Sequence, residues 1–240
     1  MISDIHGNVA ALNAVLADAA TRHVEQIVNL GDICSGGLFP RETADRLMPL
    51  GFPTIRGNHE RQMTEQAPEC MGLSDCYAAE TMRPSQLAWL AALPATLLLF
   101  DDVLLVHGTP DSDLSYFLET VTEGGIRPAT RTEVAQRVGS VEASVILCGH
   151  THLQREITLE DGRLIVNPGS VGLPAYDDDR PFPHLAESGS PHARYAVLSS
   201  EGSSWVVEFL SVRYDCEQAV CDAEANGRKD WSNPLRTGTV

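Results

Sequence analysis

Five short strings in the first two thirds of the sequence are rich in side chains that bind divalent metals. Each string follows an apolar run that is typical of a β-strand, and each supplies Asp, Asn or His. Hydrolysis of a phosphoester at a pair of metal ions needs several such side chains at neighbouring positions. The strings are Asp4-Ile5-His6-Gly7-Asn8, Gly31-Asp32, Gly57-Asn58-His59-Glu60, Val106-His107-Gly108 and Gly149-His150-Thr151-His152.

The individual strings are short, and only their combination is informative. A single D-x-H or H-x-H string often occurs by chance, and most single histidines are structural rather than metal-bound. An isolated Gly-Asp pair is a common turn. Because all five strings occur in one chain, each after a predicted strand, coincidence is improbable and the sequence predicts a metal site.

Local geometry explains how these strings can share a site. In an extended segment, residues two apart point to the same side, so Asp4 and His6 are expected to face one ion. The same reasoning applies to His150 and His152. The flanking glycines allow sharp turns and let a phosphate group approach the backbone. In parallel α/β sheets, sites form at the carboxyl ends of strands, which is where the strings lie.

The elements that position these strings alternate at the start of the chain. Apolar spacing predicts helices over residues 9–23 and 40–48, and strands over residues 27–30 and 53–56. Strands that alternate with helices form parallel pairs with helical crossovers. Only three residues precede Asp4, so the first strand is expected either to be a stub held by its neighbours or to be trimmed at its start.

Hairpins dominate the later part of the chain. Residues 84–93, 132–138 and 216–226 are predicted to be helical, and residues 144–148 to form a buried strand. Three hairpins are predicted, formed by residues 96–100 with 103–107, 155–159 with 164–167, and 194–200 with 204–211.

Two segments have no apolar period. Residues 173–193 are rich in Pro, Asp, Ser and Gly and are predicted to be a long surface loop. Residues 227–240 are predicted to be a loose tail. Since no repeat or linker divides the chain, residues 1–240 are expected to form a single domain.

Composition limits the classes of function. The formal net charge is −16 at pH 7, which argues against general nucleic-acid binding but permits a small phosphorylated substrate. The longest apolar runs are too short to cross a bilayer, so no membrane partner is expected. There is no room for a secretory signal before Asp4, and the six cysteines have no paired spacing. A cytoplasmic protein with free thiols is therefore expected.

The five strings, in this order, resemble the motifs of the calcineurin-like metallophosphoesterase superfamily, which run D-x-H, G-D, G-N-H-[DE], H and G-H-x-H. The resemblance covers most of the chain. It implies an α/β (α+β) fold, arranged as a four-layer α/β/β/α sandwich with two mixed β-sheets. It also implies a site for two divalent metal ions at one edge, and the ligand types suit Mn, Fe, Zn, Co or Ni without deciding among them.

Matched position by position, these motifs imply a role for each residue. Six side chains would each bind one of the two ions: Asp4, His6 and His152 the first, and Asn58, His107 and His150 the second. Asp32 would bridge both ions. His59 matches the family's catalytic histidine, which is usually not a ligand, so the expected catalytic residues are Asp32, Asn58 and His59.

The finer resemblance is to small bacterial and archaeal phosphodiesterases of this superfamily, some of which are described as diadenosine tetraphosphatase-like. It rests on the string at residues 167–172 and on the tail strings at residues 195–198 and 214–215. The Ser/Thr phosphatase branch shares residues 56–60, but it has an acidic-Arg-Gly pattern after its second motif. Here Ile33-Cys34-Ser35-Gly36-Gly37 follows instead. This difference argues against a protein phosphatase and against that branch's symmetrical dinucleotide hydrolysis.

The expected activity is a metal-dependent phosphoesterase, in the first place a phosphodiesterase that hydrolyses a small phosphodiester or nucleotide. A hydroxide bridging the two ions would attack phosphorus in line. His59 would protonate the leaving oxygen or orient the phosphate. The alternatives are a phosphomonoesterase or Ser/Thr-type protein phosphatase, a dinucleoside polyphosphate hydrolase, and an inactive scaffold of the same fold.

Three polar residues beside the motifs are candidates for contact with the substrate phosphate: Asn8, Arg56 and Thr151. Two of them have an obvious local explanation as well, because Asn8 can cap a helix and Arg56 can pair with Glu60. The sequence gives no indication of the oligomeric state or of the exact substrate.

Overall fold

The computed structural model describes residues 1–202 and 204–240. Its α-helices are α1 (Val9–Ala20), α2 (Pro40–Leu47), α3 (Asn58–Glu65), α4 (Leu73–Thr81), α5 (Pro84–Ala91), α6 (Arg131–Val138), α7 (Cys216–Ala225) and α8 (Ser232–Thr237). Its strands are β1 (Leu97–Leu99), β2 (Val103–Leu105), β3 (Glu119–Thr122), β4 (Gly125–Pro128), β5 (Val145–Leu147), β6 (Gln154–Thr158), β7 (Leu164–Pro168), β8 (Ala175–Asp178), β9 (His184–Glu187), β10 (Ala193–Glu201) and β11 (Ser204–Val212).

The first sheet has five strands in the order β1-β2-β5-β7-β6. Its centre is parallel, because β5 pairs in parallel with both β2 and β7. The outer pairs β1-β2 and β6-β7 are antiparallel hairpins, as predicted from the sequence. Strands β5 and β7 are buried along their whole length, which is typical of central parallel strands.

The second sheet is assembled around the first residues of the chain. Ile2 bridges Asn29, and Asn29 bridges Thr54, both in parallel. On the other side, Met1 and Ala196 of β10 exchange two backbone hydrogen bonds, and β10 pairs with β11 in antiparallel fashion. The strands predicted at residues 27–30 and 53–56 are therefore present only as single bridges, and the first strand is as short as expected.

The two sheets pack face to face, and helices cover both outer faces. One buried cluster joins Leu30 of the second sheet to Leu105 of the first. A second cluster joins Leu12 of α1 to Tyr195 of β10, and a third joins Val134 of α6 to β5. This arrangement confirms the four-layer α/β/β/α sandwich with two mixed β-sheets.

The prediction of a long surface loop at residues 173–193 was wrong. Strands β8 and β9 form an antiparallel hairpin inside this segment. In β9, buried and exposed residues alternate, with His184 and Ala186 facing inward. Leu173 and Ala175, just before and at the start of β8, are also buried. The inward residues are small or polar, so the alternation was hidden by the surrounding Pro, Asp and Ser residues.

The prediction of a loose tail at residues 227–240 was also wrong. A 3₁₀ turn at Lys229–Trp231 leads into α8. Trp231 and Leu235 are buried, and they pack against Val220 of α7 in one cluster. These two large apolar residues are four positions apart, which is one helical turn, but a single pair is too weak a signal to predict a helix.

Other elements differ less from expectation. The predicted helices are present as α1, α2, α5, α6 and α7. Helices α3 and α4 and the β3-β4 hairpin were not predicted, because their apolar residues are few. Across the described residues, each helix is too short or too polar to cross a membrane.

Candidate metal centre

Backbone strain marks the centre. Five of the predicted ligand residues have φ between 50° and 71°: Asp4, His6, Asp32, His150 and His152. The left-handed conformation costs about 1–2 kcal/mol for a residue with a Cβ, although Asp and His tolerate it better than most. Strain of this kind collects at functional sites. The prediction that the ligands lie in extended segments was therefore wrong, because the ligand residues themselves form the turns.

These turns decide which side chains share a site. Asp4 and His6 lie in one group with His152, as expected from their spacing. However, His150 does not join them. It lies in a second group with Asp32 and His107, so the two histidines of the G-H-x-H string point into different groups.

Two glycines bring the loops of the centre into contact. A Cβ atom added to Gly57 would collide with the Asp32 side chain, and one added to Gly31 would collide with the backbone of Gly57. Gly31 also has φ of 96°, which side-chain-bearing residues rarely adopt. These glycines therefore allow close packing between the second and third strings.

The first group consists of Asp4, His6 and His152. The Nε2 atoms of the two histidines lie 3.1 Å apart, and His152 Nε2 lies 3.5 Å from Asp4 Oδ1. The Nδ1 atoms lie 2.7 Å from the carbonyl oxygens of Ser35 and Leu173, respectively. Because these Nδ1 atoms donate to the backbone, each Nε2 atom presents a lone pair to the group.

The second group consists of Asp32, His107 and His150, with Asn58 beside them. His107 Nε2 lies 3.0 Å from Asp32 Oδ2, and His107 Nδ1 lies 2.7 Å from the Leu30 carbonyl oxygen. His150 is turned the other way, with Nε2 3.2 Å from the Leu114 carbonyl oxygen. Its Nδ1 atom therefore faces the group.

Asn58 shows that this arrangement suits a cation. The same terminal atom of its amide lies 3.1 Å from His107 Nε2, 3.0 Å from His150 Nδ1 and 3.2 Å from Asp32 Oδ2. When that atom is the amide oxygen, it meets only acceptors. Several buried lone pairs that face each other without a proton between them repel, and a metal ion removes the repulsion. The donor set thus fits a divalent ion bound by nitrogen and oxygen.

Charge is unevenly distributed over the histidines. Burial lowers the pKa of His6 to about 4, and the neighbouring His152 acts in the same direction. Burial likewise lowers the pKa of His150 to about 3, and the charge of His107 adds to this effect. Burial also opposes the charged form of His107, but Asp32 outweighs it and raises the pKa of His107 to about 10. Neutral imidazole is the form that binds metal.

Asp32 acts on both groups. Burial opposes its charge, but His107, His59 and His6 hold its pKa well below the usual range. In turn, the Asp32 carboxylate raises the pKa of His107, and at His6 it opposes the lowering caused by burial. The groups are also joined through the backbone, since the N–H of His150 lies 3.2 Å from Asp4 Oδ2. The Asp32 carboxylate is thus close enough to act electrostatically on histidines of both groups.

His59 lies beside both groups but belongs to neither. Its Nε2 atom is 4.0 Å from Asp32 Oδ2, and 29 % of its side chain is exposed. Its Nδ1 atom lies 2.8 Å from Asp75 Oδ1 and 3.2 Å from Ser35 Oγ. Burial lowers the pKa of His59, but Asp32 and Asp75 raise it more, to about 9. Asp75 is a functional residue that the sequence did not reveal, because it lies in α4 outside every motif.

Glu60 holds the loops together. Its carboxylate accepts hydrogen bonds from the backbone N–H groups of Asp32, Ile33 and Gly57, each at 2.8 Å. The side chain is fully buried. Three charge-assisted bonds therefore fix the loop that carries Asp32 to the loop that carries Asn58.

The three predicted substrate contacts have structural roles. Asn8 is buried, accepts a hydrogen bond from the N–H of Ala11 at 3.0 Å, and so caps α1. Thr151 is fully buried behind the histidines, where Asn167 donates to its hydroxyl. Arg56 pairs with Glu65 at 2.7 Å, rather than with Glu60. None of the three lines the cavity in front of the centre, and their contact with the substrate stays a prediction.

A cavity of about 1090 Å³ opens in front of both groups. Its metal side includes Asp32, Asn58 and His150. The opposite side comes from segments without motifs, and their lining residues are Leu114, Tyr116, Glu119, Val121, Arg137, Tyr176, Arg180, Arg228 and Trp231, among others. Apart from the aromatic residues of the β8 segment and the tail, no sequence signal pointed to this side.

Comparison with known proteins agrees with this geometry. The family model of the calcineurin-like phosphoesterase superfamily domain matches residues 1–186. An uncharacterized protein of Methanocaldococcus jannaschii, MJ0912, is 24% identical over 245 residues, which is 96% of this chain and 93% of that protein.

Two solved structures are similar over nearly the whole chain. A metallophosphoesterase from Sphaerobacter thermophilus has a TM-score of 0.75 at 23% identity, covering 98% of this chain and 96% of its own. The hypothetical protein PH1004 from Pyrococcus horikoshii has a TM-score of 0.78 at 19% identity, covering 99% and 96%. At these identities the likeness establishes the fold.

Proposed function

Since the chain belongs to the calcineurin-like phosphoesterase superfamily, we propose that it is a phosphodiesterase that works with two divalent metal ions. The family is one of metal-dependent phosphoester hydrolases. The finer assignment rests on one observation: two groups of three side chains that can ligate a metal lie beside one cavity.

The ligand roles follow from the two groups. One ion would be held by Asp4, His6 and His152, the other by Asn58, His107 and His150, with Asp32 shared. When bound, such ions supply Lewis-acid activation of water and neutralise charge that develops on the phosphoryl oxygens. The hydrogen bonds from the imidazole Nδ1 atoms to backbone carbonyls fix the ring orientations.

His59 is placed to serve as the proton donor. It lines the cavity and is partly exposed. Because its pKa is raised to about 9, it carries a proton at neutral pH. Asp75 and Ser35 hold its Nδ1 side, which leaves Nε2 to protonate the leaving oxygen or to hydrogen-bond the phosphate.

The charges around the cavity support a diester rather than a monoester as the substrate. A phosphomonoester carries nearly two negative charges at neutral pH, whereas a diester carries one. Of the arginines that line the cavity, Arg228 is paired with Asp230, and Arg137 donates to backbone oxygens of its own wall. Arg180 lies at the exposed rim. Few cationic groups are thus available beyond the ions themselves, which favours the singly charged ester.

The test is metal-dependent turnover of paired chromogenic substrates. The chain is stripped with a chelator, reloaded separately with Mn, Fe, Co, Ni or Zn, and assayed with bis(p-nitrophenyl) phosphate and p-nitrophenyl phosphate. We expect turnover only after reloading, about two ions per chain by elemental analysis, and a higher kcat/KM for the diester.

A matched pair of histidine variants checks the site. His150→Ala should abolish turnover without unfolding the chain, whereas His192→Ala, which lies outside both groups, should behave as the wild type. If the reloaded wild type binds metal but hydrolyses neither substrate, the chain is a scaffold and the proposal fails. A higher kcat/KM for the monoester would make it a phosphomonoesterase instead.

A further inference from the structure

The cavity contains a buried acidic group that the metal chemistry leaves unused. Glu119, at the start of β3, has only 3% of its surface exposed. Its Oε2 atom has no hydrogen-bond partner among the described residues. An unpaired buried polar atom costs about 1–3 kcal/mol, and more when it is charged. Native structures keep few such groups, and those that remain call for an explanation.

The neighbouring cations do not provide the missing donor. The Arg137 guanidinium donates to the carbonyl oxygens of Phe117 and Glu119 at 2.8 and 2.9 Å, and to Thr120 Oγ1 at 2.7 Å. The Arg155 guanidinium donates to the Ala129 carbonyl oxygen. Burial raises the pKa of Glu119 to about 7, even though a hydrogen bond from Thr151 and the two arginines lower it.

The surroundings of Glu119 have the character of a ligand pocket. Glu119 lines the same cavity as Asp32 and His150. Leu114, which is 54% exposed, and Val121 add apolar surface to this side of the cavity. A concave site that combines apolar walls with one or two placed polar groups is the usual form of a small-molecule site, and its volume is sufficient for a nucleotide.

We propose that Glu119 recognises the organic group of the substrate, by accepting a hydrogen bond from an N–H donor of a nucleobase that lies against Leu114 and Val121. This inference rests on the proposed function, because it assumes that the substrate phosphate lies at the metal centre. It makes the preferred substrate a nucleotide ester rather than a simple alkyl or aryl diester.

The experiment compares esters that share one leaving group. The reloaded enzyme is assayed with the 5′-(p-nitrophenyl) phosphates of guanosine, adenosine, cytidine and uridine. The same ester of ribose without a base, and methyl p-nitrophenyl phosphate, serve as references. Each is tested with the wild type, Glu119→Gln, Glu119→Ala and the control Glu123→Gln. Glu123 is exposed in the same hairpin and does not line the cavity.

The expected result is a change in preference. The wild type should have a higher kcat/KM for at least one nucleoside ester than for the methyl and ribose esters. In Glu119→Ala this ratio should fall about 10- to 100-fold, as for the loss of a hydrogen bond to a charged group. In Glu119→Gln it should fall less, because the amide oxygen can still accept a hydrogen bond. Glu123→Gln should leave the ratio unchanged.

Three results would overturn the inference. The ratio could remain unchanged in the Glu119 variants. All esters could lose activity equally while metal content also falls, which would mean that Glu119 only supports Thr151 between the ligand histidines. The ribose ester could be hydrolysed as well as the nucleoside esters, which would exclude recognition of the base.

A binding measurement separates this inference from the proposed function. The four nucleoside 5′-monophosphates are titrated by calorimetry into the metal-loaded wild type and the Glu119 variants. A Kd that rises at least about tenfold in Glu119→Ala supports the site even if no ester is hydrolysed. If esters are hydrolysed but no monophosphate binds more tightly to the wild type than to the variants, the hydrolase stands and the base-recognition site is rejected.

Discussion

The cavity has two walls that are built in different ways. The metal wall consists of side chains from the motif strings, namely His6, Asp32, Asn58, His59, His150 and His152. The substrate wall, which we define by Tyr116, Glu119, Tyr176, Arg228 and Trp231, comes from two hairpins, the segment just before β3, and the tail. The first wall is set by short loops after strands, whereas the second depends on segments that are distant in sequence.

The backbone of the metal wall is held in place by several buried hydrogen bonds. Glu60 ties three N–H groups, and the ligand imidazoles donate to backbone carbonyls. These bonds offset the strain of left-handed residues such as Asp4 and His152. In the substrate wall, Arg137 donates to the carbonyl oxygens of Phe117 and Glu119, whereas Trp231 is positioned by apolar packing.

The two walls meet at one chain of hydrogen bonds. The Tyr176 hydroxyl lies 2.7 Å from the Tyr116 hydroxyl and 3.2 Å from the carbonyl oxygen of His150. Tyr116 in turn lies 2.8 Å from His184 Nε2. The β8-β9 hairpin therefore contacts the metal wall through backbone, so substrate and metal positions are set together.

Asp32→Asn tests the metal wall and should have the largest effect. It removes a carboxylate charge that acts on both groups, while the amide oxygen can still accept the hydrogen bond from the N–H of His59. We expect the loss of several kcal/mol of transition-state stabilisation, which is about 10⁴-fold in kcat/KM. The measurement is turnover of bis(p-nitrophenyl) phosphate, with circular dichroism to check the fold. Full activity in this variant would contradict the shared-ligand role.

Trp231→Ala tests the substrate wall through stability. Trp231 is 5% exposed and packs in a cluster with Leu38, Leu173 and Val220. Its removal should lower the free energy of unfolding by about 3–5 kcal/mol, measured by urea denaturation. The control Trp205→Ala, at a position 39% exposed in β11, should cost far less. Equal, small effects would mean that the tail does not build this wall.

The two walls also differ in how well the sequence predicts them. Residues such as Asp4 and His150 could be identified because each motif is short and follows an apolar strand. The alternation of strands and helices over the first sixty residues was sufficient to predict the parallel pairing, whereas the sandwich was implied only by the resemblance to the superfamily. Six of the seven predicted ligands accordingly lie in two close groups.

The substrate wall could not be predicted, for physical reasons. Glu119 and Asp75 become important only through burial and distant neighbours, which no local pattern encodes.

The turns at the metal centre could not be predicted either. Left-handed turns at Asp4 and His6 are allowed for these residue types but are not required by them. A polar residue beside a motif, such as Thr151, can be buried away from the cavity, because sequence adjacency does not show which way a side chain points.

His59→Ala probes the edge of the metal wall with a smaller expected effect. General acid catalysis by one side chain is worth about 10²–10⁴-fold, so we expect kcat to fall by about 10²–10³-fold. Metal content by elemental analysis should stay at the wild-type value, because His59 belongs to neither ligand group. Asp75→Asn, which weakens the 2.8 Å contact to Nδ1, should cost about tenfold. Loss of metal in His59→Ala would show that this residue is a ligand.

Arg56→Ala should have the smallest effect on kcat/KM. It tests whether a residue next to a motif in sequence also lies near the substrate. Arg56 directly precedes the Gly57-Asn58-His59 string, but its guanidinium pairs with Glu65 at the surface. An exposed ion pair contributes about 0–1 kcal/mol, so stability should fall by less than about 1 kcal/mol and kcat/KM by less than about twofold. Steady-state kinetics on the diester provide the measurement. A rise in KM of tenfold or more would place Arg56 on the substrate after all. The metal wall would then extend beyond the side chains that line the cavity in this structure.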